Sequence, residues 1–199
     1  MRNNNVFGNS PVWKAQAEGY DWGLQKSQGI FHNTLNNFRM EYARISGTSP
    51  EDCVGATWSV ILGTIFPAIE GDYAIESQAR NPGGYTDFTI CDWVGPLRRP
   101  FVVVETKKAP KGRRRPGWLS AERQLHRYFR GWAQTARQGE TARARCHGAI
   151  AIGTQVRFYE YRHETNNIMA LEDQDQPYGV NSDAHNIFHH LRYIKNNHH

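Results

Sequence analysis

FVVVETK, Phe101 to Lys107, is the stretch on which the reading of this 199-residue chain turns. One phenylalanine and three valines in a row favour a strand. Alternation then sends Val102 and Val104 to one face and Glu105 and Lys107 to the other, the last two about 7 Å apart along the chain. A carboxylate and an ammonium ending an apolar strand are costly to bury without compensation. A divalent cation and a phosphate supply that compensation, so the strand end reads as a site.

Two further segments of strand character precede it, DYAIESQ at 72–78 and YTDFTICDW at 85–93. Asn81, Pro82, Gly83 and Gly84 divide them, Gly95 and Pro96 mark the next turn, and three consecutive antiparallel strands result. The middle strand carries Asp87. If Asp87 lies across the hairpin from Glu105, the two carboxylates share one cation, and hard oxygen ligands favour magnesium or manganese.

Helical signals flank these strands. Leu35, Phe38 and Tyr42 have helix spacing within an N-terminal extension at 11–46. Ser49 as N-cap, Pro50 in the first turn and the acids Glu51 and Asp52 open a second helix over VGATWSVILGTIF, ending near Pro67. A third helix begins at Leu119 with Ser120 as its cap, and Leu125, Phe129, Trp132 and Ala136 form its stripe. GAIAIG (148–153) reads as a buried strand and QVRFYEY (155–161) as its partner. A closing helix at 182–196 places Ile187, Leu191 and Ile194 on one face. This order predicts an α/β chain with a mixed sheet flanked by helices, a single domain over 1–199.

With 39% hydrophobic residues the chain can bury one core, and no apolar run approaches the roughly 20 residues of a membrane span. Met1 to Ser10 is polar and asparagine-rich, without a secretory pattern, so an intracellular protein of cytoplasm or nucleus is expected. Cys53, Cys91 and Cys146 are odd in number and lack CxxC spacing, which predicts reduced, buried thiols. His185, His189, His190, His198 and His199 read as a solvated tail, and His126 and the Cys146-His147 pair lack partners for nucleophilic catalysis. Trp58, Trp93 and Trp132 are assigned to the core. Trp118 is read as packing the start of its helix, with stacking on a base or an arginine as the alternative.

Charge is concentrated. Residues 98–145 hold 14 Lys and Arg against the acids Glu105, Glu122 and Glu140, a net +11, whereas the remainder is net −6. Such a block attracts a polyanion. Within it, Lys108, Lys111, Arg113, Arg114 and Arg115 occupy a loop rich in proline and glycine just beyond the strand end, and arginine forks suit phosphate oxygens.

Thr86-Asp87 followed by Glu105-Thr106-Lys107 resembles the signature of the PD-(D/E)XK nuclease superfamily, with threonine in place of the nominal proline. Gln124-Leu125-His126-Arg127-Tyr128 is similar to the QxxxY element of its exonuclease-like branch. The likeness covers about 50–162 and includes the order helix, three strands, helix, strand. It implies a restriction-endonuclease-like core, Mg2+ (or Mn2+) held by Asp87 and Glu105, and Lys107 and Gln124 as catalytic partners. Tyr128 would brace Gln124 or reach the nucleic-acid backbone. A further acid from the first helix is expected, with Glu70 preferred to Glu76 and to Glu51, which capping already explains. The substrate implied is DNA before RNA; no coiled coil or interface stripe indicates a homodimer. Two other readings stand beside this one: a nucleic-acid-binding domain on the same fold that does not cut, and a protein-interaction module whose basic face meets an acidic partner.

Overall fold

A computed structural model of the chain describes residues 36–68, 73–81, 83–94, 96–111, 116–136, 145–171 and 176–198. Helix α1 covers residues 36–43, and α2 runs Glu51–Ile65. The strands β1 (Tyr73–Asn81), β2 (Gly84–Val94) and β3 (Leu97–Lys107) follow, then α3 (Trp118–Ala136), β4 (Arg145–Ile152), β5 (Gln155–Arg162), the short β6 (Asn167–Ala170) and β7 (Tyr178–Gly179), and α4 (Ala184–Asn196). The sheet is ordered β1-β2-β3-β4-β5-β6, with β7 paired to β5. All neighbours are antiparallel except β3 and β4, which are parallel. A parallel pair needs a crossover, and α3 lies within it.

Burial explains why β3 is an almost unbroken apolar run: Phe101 to Val104 are fully buried, because the sheet is covered on both faces here. On one face Val102 and Val104 pack with Ala149, Ala151 and Phe158 against Val54, Trp58 and Leu62 of α2 and Ile187 and Leu191 of α4. On the other, Val103, Ile150 and Tyr161 pack against Leu125, Tyr128 and Phe129 of α3. Two glycines let α3 lie close. A Cβ on Gly148 would stand 2.8 Å from both Leu125 methyls, and one on Gly83, in the β1–β2 turn, would stand 2.7 Å from the backbone oxygen of Arg127.

The expected mixed sheet and flanking helices are present, with differences in detail. β3 starts at Leu97, well before Phe101, because Arg98 and Arg99 still pair with Trp93 and Asp92. Strands β6 and β7 were not anticipated. The N-cap of α2 is Pro50 with no side-chain bond; Ser49 turns back instead, its hydroxyl donating to the Arg44 carbonyl. Ser120 lies inside the first turn of α3 and does not cap it, since that helix begins at Trp118. Trp93 is 48% exposed near the end of its strand and is not a core residue.

The histidine tail is corrected too. His190 is buried, stacked on Phe158 and 3.0 Å from the Tyr178 hydroxyl. His198 is buried against the Phe101 ring, at 4.0 Å, with Asp92 at 3.3 Å. His185 and His189 are exposed, as expected, because α4 turns them to its outer side. The three cysteines are free and buried. Of the N-terminal extension, 11–35 lies outside the described residues. Among the described residues no helix is long and apolar enough to cross a membrane.

The glycine contacts make a paired prediction. Gly83→Ala is expected to cost about 1–3 kcal/mol in urea unfolding, because the new methyl meets backbone and not a yielding side chain. Gly63→Ala, on α2 with nothing within 4 Å, is expected to gain roughly 0.5–1 kcal/mol. Equal effects at the two positions would contradict the close approach of α3.

Candidate active site

The β2–β3 ladder ends one pair short of its charged residues. Phe88 opposite Val104 is the last pair in register, and one more step would set Asp87 opposite Glu105. Instead the Asp87 side chain takes over the bonding: Oδ2 accepts the Thr106 N–H at 2.7 Å and the Thr106 hydroxyl at 2.9 Å. On its other side Oδ1 accepts Nε2 of Gln78 at 3.2 Å. An aspartate thus does the work of a strand carbonyl and is fixed in place by three donors.

Glu105 has no exposed surface. Its Oε2 lies 3.0 Å from Lys107 Nζ, while Oε1 is buried and makes no hydrogen bond of ordinary geometry among the described residues, although the Asp87 N–H and the Tyr128 hydroxyl lie close enough to act on the carboxyl. The same ammonium is 3.5 Å from Glu51 Oε1 and 3.9 Å from Asp87 Oδ2. One lysine therefore sits among three carboxylates contributed by α2, β2 and β3.

Burial pushes the Glu105 carboxyl up to about 7; the Lys107 charge offsets part of this, and the Asp87 charge adds to it. For Lys107, burial alone would lower the pKa, but Glu105, Asp87 and Glu51 together outweigh it and hold the value above the ordinary lysine range. The ammonium consequently stays charged at neutral pH, which suits an electrostatic role better than a basic one. The Tyr128 hydroxyl is raised chiefly by burial, with the nearby Glu105 charge contributing.

Helix spacing brings Gln124 and Tyr128 onto one face of α3. Gln124 Nε2 donates to Tyr128 Oη at 2.5 Å, and that hydroxyl donates to the Tyr85 carbonyl at 2.5 Å. Of the two roles expected for Tyr128 the geometry realises the bracing one: the residue is 2% exposed and ties α3 to β2. Gln124 keeps one amide hydrogen in hand.

Asp87, Glu105 and Lys107 thus come together as the alternation of the strand requires. Glu51 joins them. Its place at the start of α2 had a sufficient local explanation in helix capping, and only the fold shows that this helix end abuts the end of β3. Glu76 is engaged elsewhere, in an ion pair with Arg98. Glu70, Arg113, Arg114 and Arg115 lie outside the described residues, and Lys108 and Lys111 are exposed beyond the strand end. Trp118 is half-buried against the α3 core cluster, and the Arg157 guanidinium lies over its ring at 4.7 Å. Packing of the helix start and stacking on an arginine are both realised.

The sequence places Gln78 only at the end of the strand segment 72–78 and gives it no part in the site. It is a non-glycine residue at φ 53°, passed over in the β1–β2 register between Ser77 opposite Phe88 and Ala79 opposite Thr86. Left-handed backbone is unfavourable for a side chain of this kind. Here it accompanies the bond to Asp87, and nothing in the residue type announces it.

The donor set fits a magnesium-like ion only in open form. Among the described residues no group of three or more His, Cys, Asp or Glu side chains encloses a metal position. Two carboxylates, one with an unpartnered buried oxygen, suit an ion that binds through one or two carboxylates and keeps several waters. Comparison with protein-family models, curated sequences and solved structures finds no match to this chain.

The Glu105 shift has a testable sign. With a folded pKa near 7 against an ordinary 4.5, this group stabilises the fold fully below the lower value and loses that contribution as pH rises through the upper one. Glu105→Gln keeps the shape without the charge. In metal-free buffer it is expected to raise stability above pH 7 by roughly 1–3 kcal/mol, with no gain near pH 4. A gain of equal size at both pH values would contradict the burial assigned to Glu105.

Proposed function

We propose that this chain is a metal-dependent nuclease of the PD-(D/E)XK type, built on a restriction-endonuclease-like core and hydrolysing phosphodiester bonds of nucleic acid, DNA before RNA. The observation that carries the reading is the convergence of Asp87, Glu105 and Lys107 at the end of β3, with one buried Glu105 oxygen left without a hydrogen bond of ordinary geometry among the described residues. The order α2, β1 to β3, α3, β4 also agrees with the core that the motifs resemble.

In this reading Asp87 and Glu105 hold Mg2+ or Mn2+, and the bound ion supplies a water of lowered pKa and neutralises charge gathering on the phosphate. Lys107 keeps its proton and offers it to a phosphate oxygen or to the attacking water, stabilising developing negative charge electrostatically. Glu51 holds that ammonium toward α2, and Gln78 and Thr106 hold Asp87. Gln124, steadied by Tyr128, has an amide hydrogen for a phosphate oxygen. Lys108 and Lys111, with Arg113, Arg114 and Arg115, supply the charge that draws in the polyanion.

Cleavage of labelled single- and double-stranded DNA and RNA, in Mg2+, Mn2+ or EDTA, tests the proposal. Cutting is expected with metal only, and Glu105→Ala and Lys107→Ala should each lower its rate about 10²–10³-fold. Full activity in either variant, or cutting in EDTA, would overturn the site. Binding without cutting under every condition would assign the chain to the non-cleaving alternative.

Gln78→Gly separates strain from function. Relief of the left-handed backbone is expected to leave stability unchanged or raise it by up to about 1 kcal/mol. Loss of the bond to Asp87 should slow cleavage roughly 10- to 100-fold. A variant that is both more stable and fully active would remove Gln78 from the site.

A further inference from the structure

We infer that Tyr85 and Arg80 form a subsite for an unpaired nucleobase and its phosphate beside the carboxylates, so that the substrate is a single strand or a frayed end. The inference rests on the nuclease reading and narrows it.

Tyr85 is 61% exposed, more than any other aromatic side chain among the described residues, and its ring and hydroxyl make no hydrogen bond or ring contact with another of them. Its backbone, by contrast, is held firmly. It is in register opposite Arg80 in the β1–β2 ladder, and its carbonyl receives the Tyr128 hydroxyl. The adjoining turn is pressed against α3 at Gly83. A ring on a fixed backbone and bare at its face is a stacking platform, and a tyrosine has only two χ angles to order when a base stacks on it.

Its position is as informative as its exposure. Asp87 is two residues further along β2, about 7 Å away. The cross-strand neighbour Arg80 is exposed and forms no ion pair with another described residue. Next to this tip, α3 turns Arg123, Arg127 and Arg130 to solvent on one stripe, and none of the three has a described ion-pair partner either. An aromatic face flanked by guanidinium groups that have no ion pair among the described residues matches a base and the phosphates on either side of it, the combination used for single strands. A base inside a duplex has both faces covered by its neighbours and offers none to Tyr85.

Fluorescence anisotropy in EDTA at low salt tests this without cleavage. The probes are a labelled oligothymidylate, an abasic oligomer with the same number of phosphates, and a duplex of equal length. Wild type and Tyr85→Phe are expected to hold the oligothymidylate about tenfold or more tighter than the abasic strand, whereas Tyr85→Ala should hold the two equally weakly. The exposed position predicts that all three proteins melt alike. If Tyr85→Ala binds the oligothymidylate as wild type does, or wild type ignores the loss of the bases, the subsite is overturned. Binding of duplex alone would overturn the subsite and leave the nuclease reading in place. Binding of no probe at low salt would bring both down.

Discussion

An ionisable carboxyl with no exposed surface lies near the end of the central strand β3, and the organisation around it follows from keeping Glu105 tolerable there. Its neighbours Val102 to Val104 bind the strand into two apolar layers, so the chain cannot retreat from the cost by exposing the strand end. Lys107, on the same face, offsets part of that cost, and Glu51 and Asp87 keep the lysine charged. What is left over is one buried oxygen of Glu105 without a hydrogen bond of ordinary geometry among the described residues. In the proposed reading, an exogenous cation compensates that oxygen.

The same constraint shapes the backbone. A regular β2–β3 ladder would have carried Asp87 on past Glu105 with its carboxylate directed by the pleat. Ending the ladder at Phe88 and Val104 lets the Asp87 side chain satisfy the Thr106 N–H itself, which fixes the carboxylate to a rigid strand. Gln78 accepts a left-handed conformation beside it, and α3 is drawn in through Gly83 and Gly148 so that Tyr128 reaches β2. The left-handed Gln78 and the early end of the β2–β3 ladder both lie next to the charged cluster, where violations of local rules are expected if the cluster is functional.

Much of this was legible in the residues. The apolar run at 101–104 marked the central strand, and alternation alone put Glu105 and Lys107 on one face. The spacing of Leu125 and Phe129 marked α3 and its buried side. What escaped had physical reasons. Glu51 has a complete local explanation as a first-turn acid, and only the packing of α2 on β3 shows its second one. The left-handed turn at Gln78 depends on the unpaired stretch of β2 opposite it. The burial of His198 depends on Phe101 and Asp92, far away in sequence. Strands of four and two residues, β6 and β7, are too short for alternation to register. Trp93 is exposed because its strand runs on toward a turn, although its residue type suggested the core.

The most direct test of the central claim is an anomalous diffraction measurement on crystals of the wild-type protein soaked in Mn2+. The account predicts one strong manganese peak within coordination distance of both Asp87 and Glu105, with the Lys107 ammonium moved aside, and no such peak in Glu105→Gln. Manganese absent from that position, with Lys107 still bonded to Glu105, would contradict it and reduce the cluster to a structural ion-pair network.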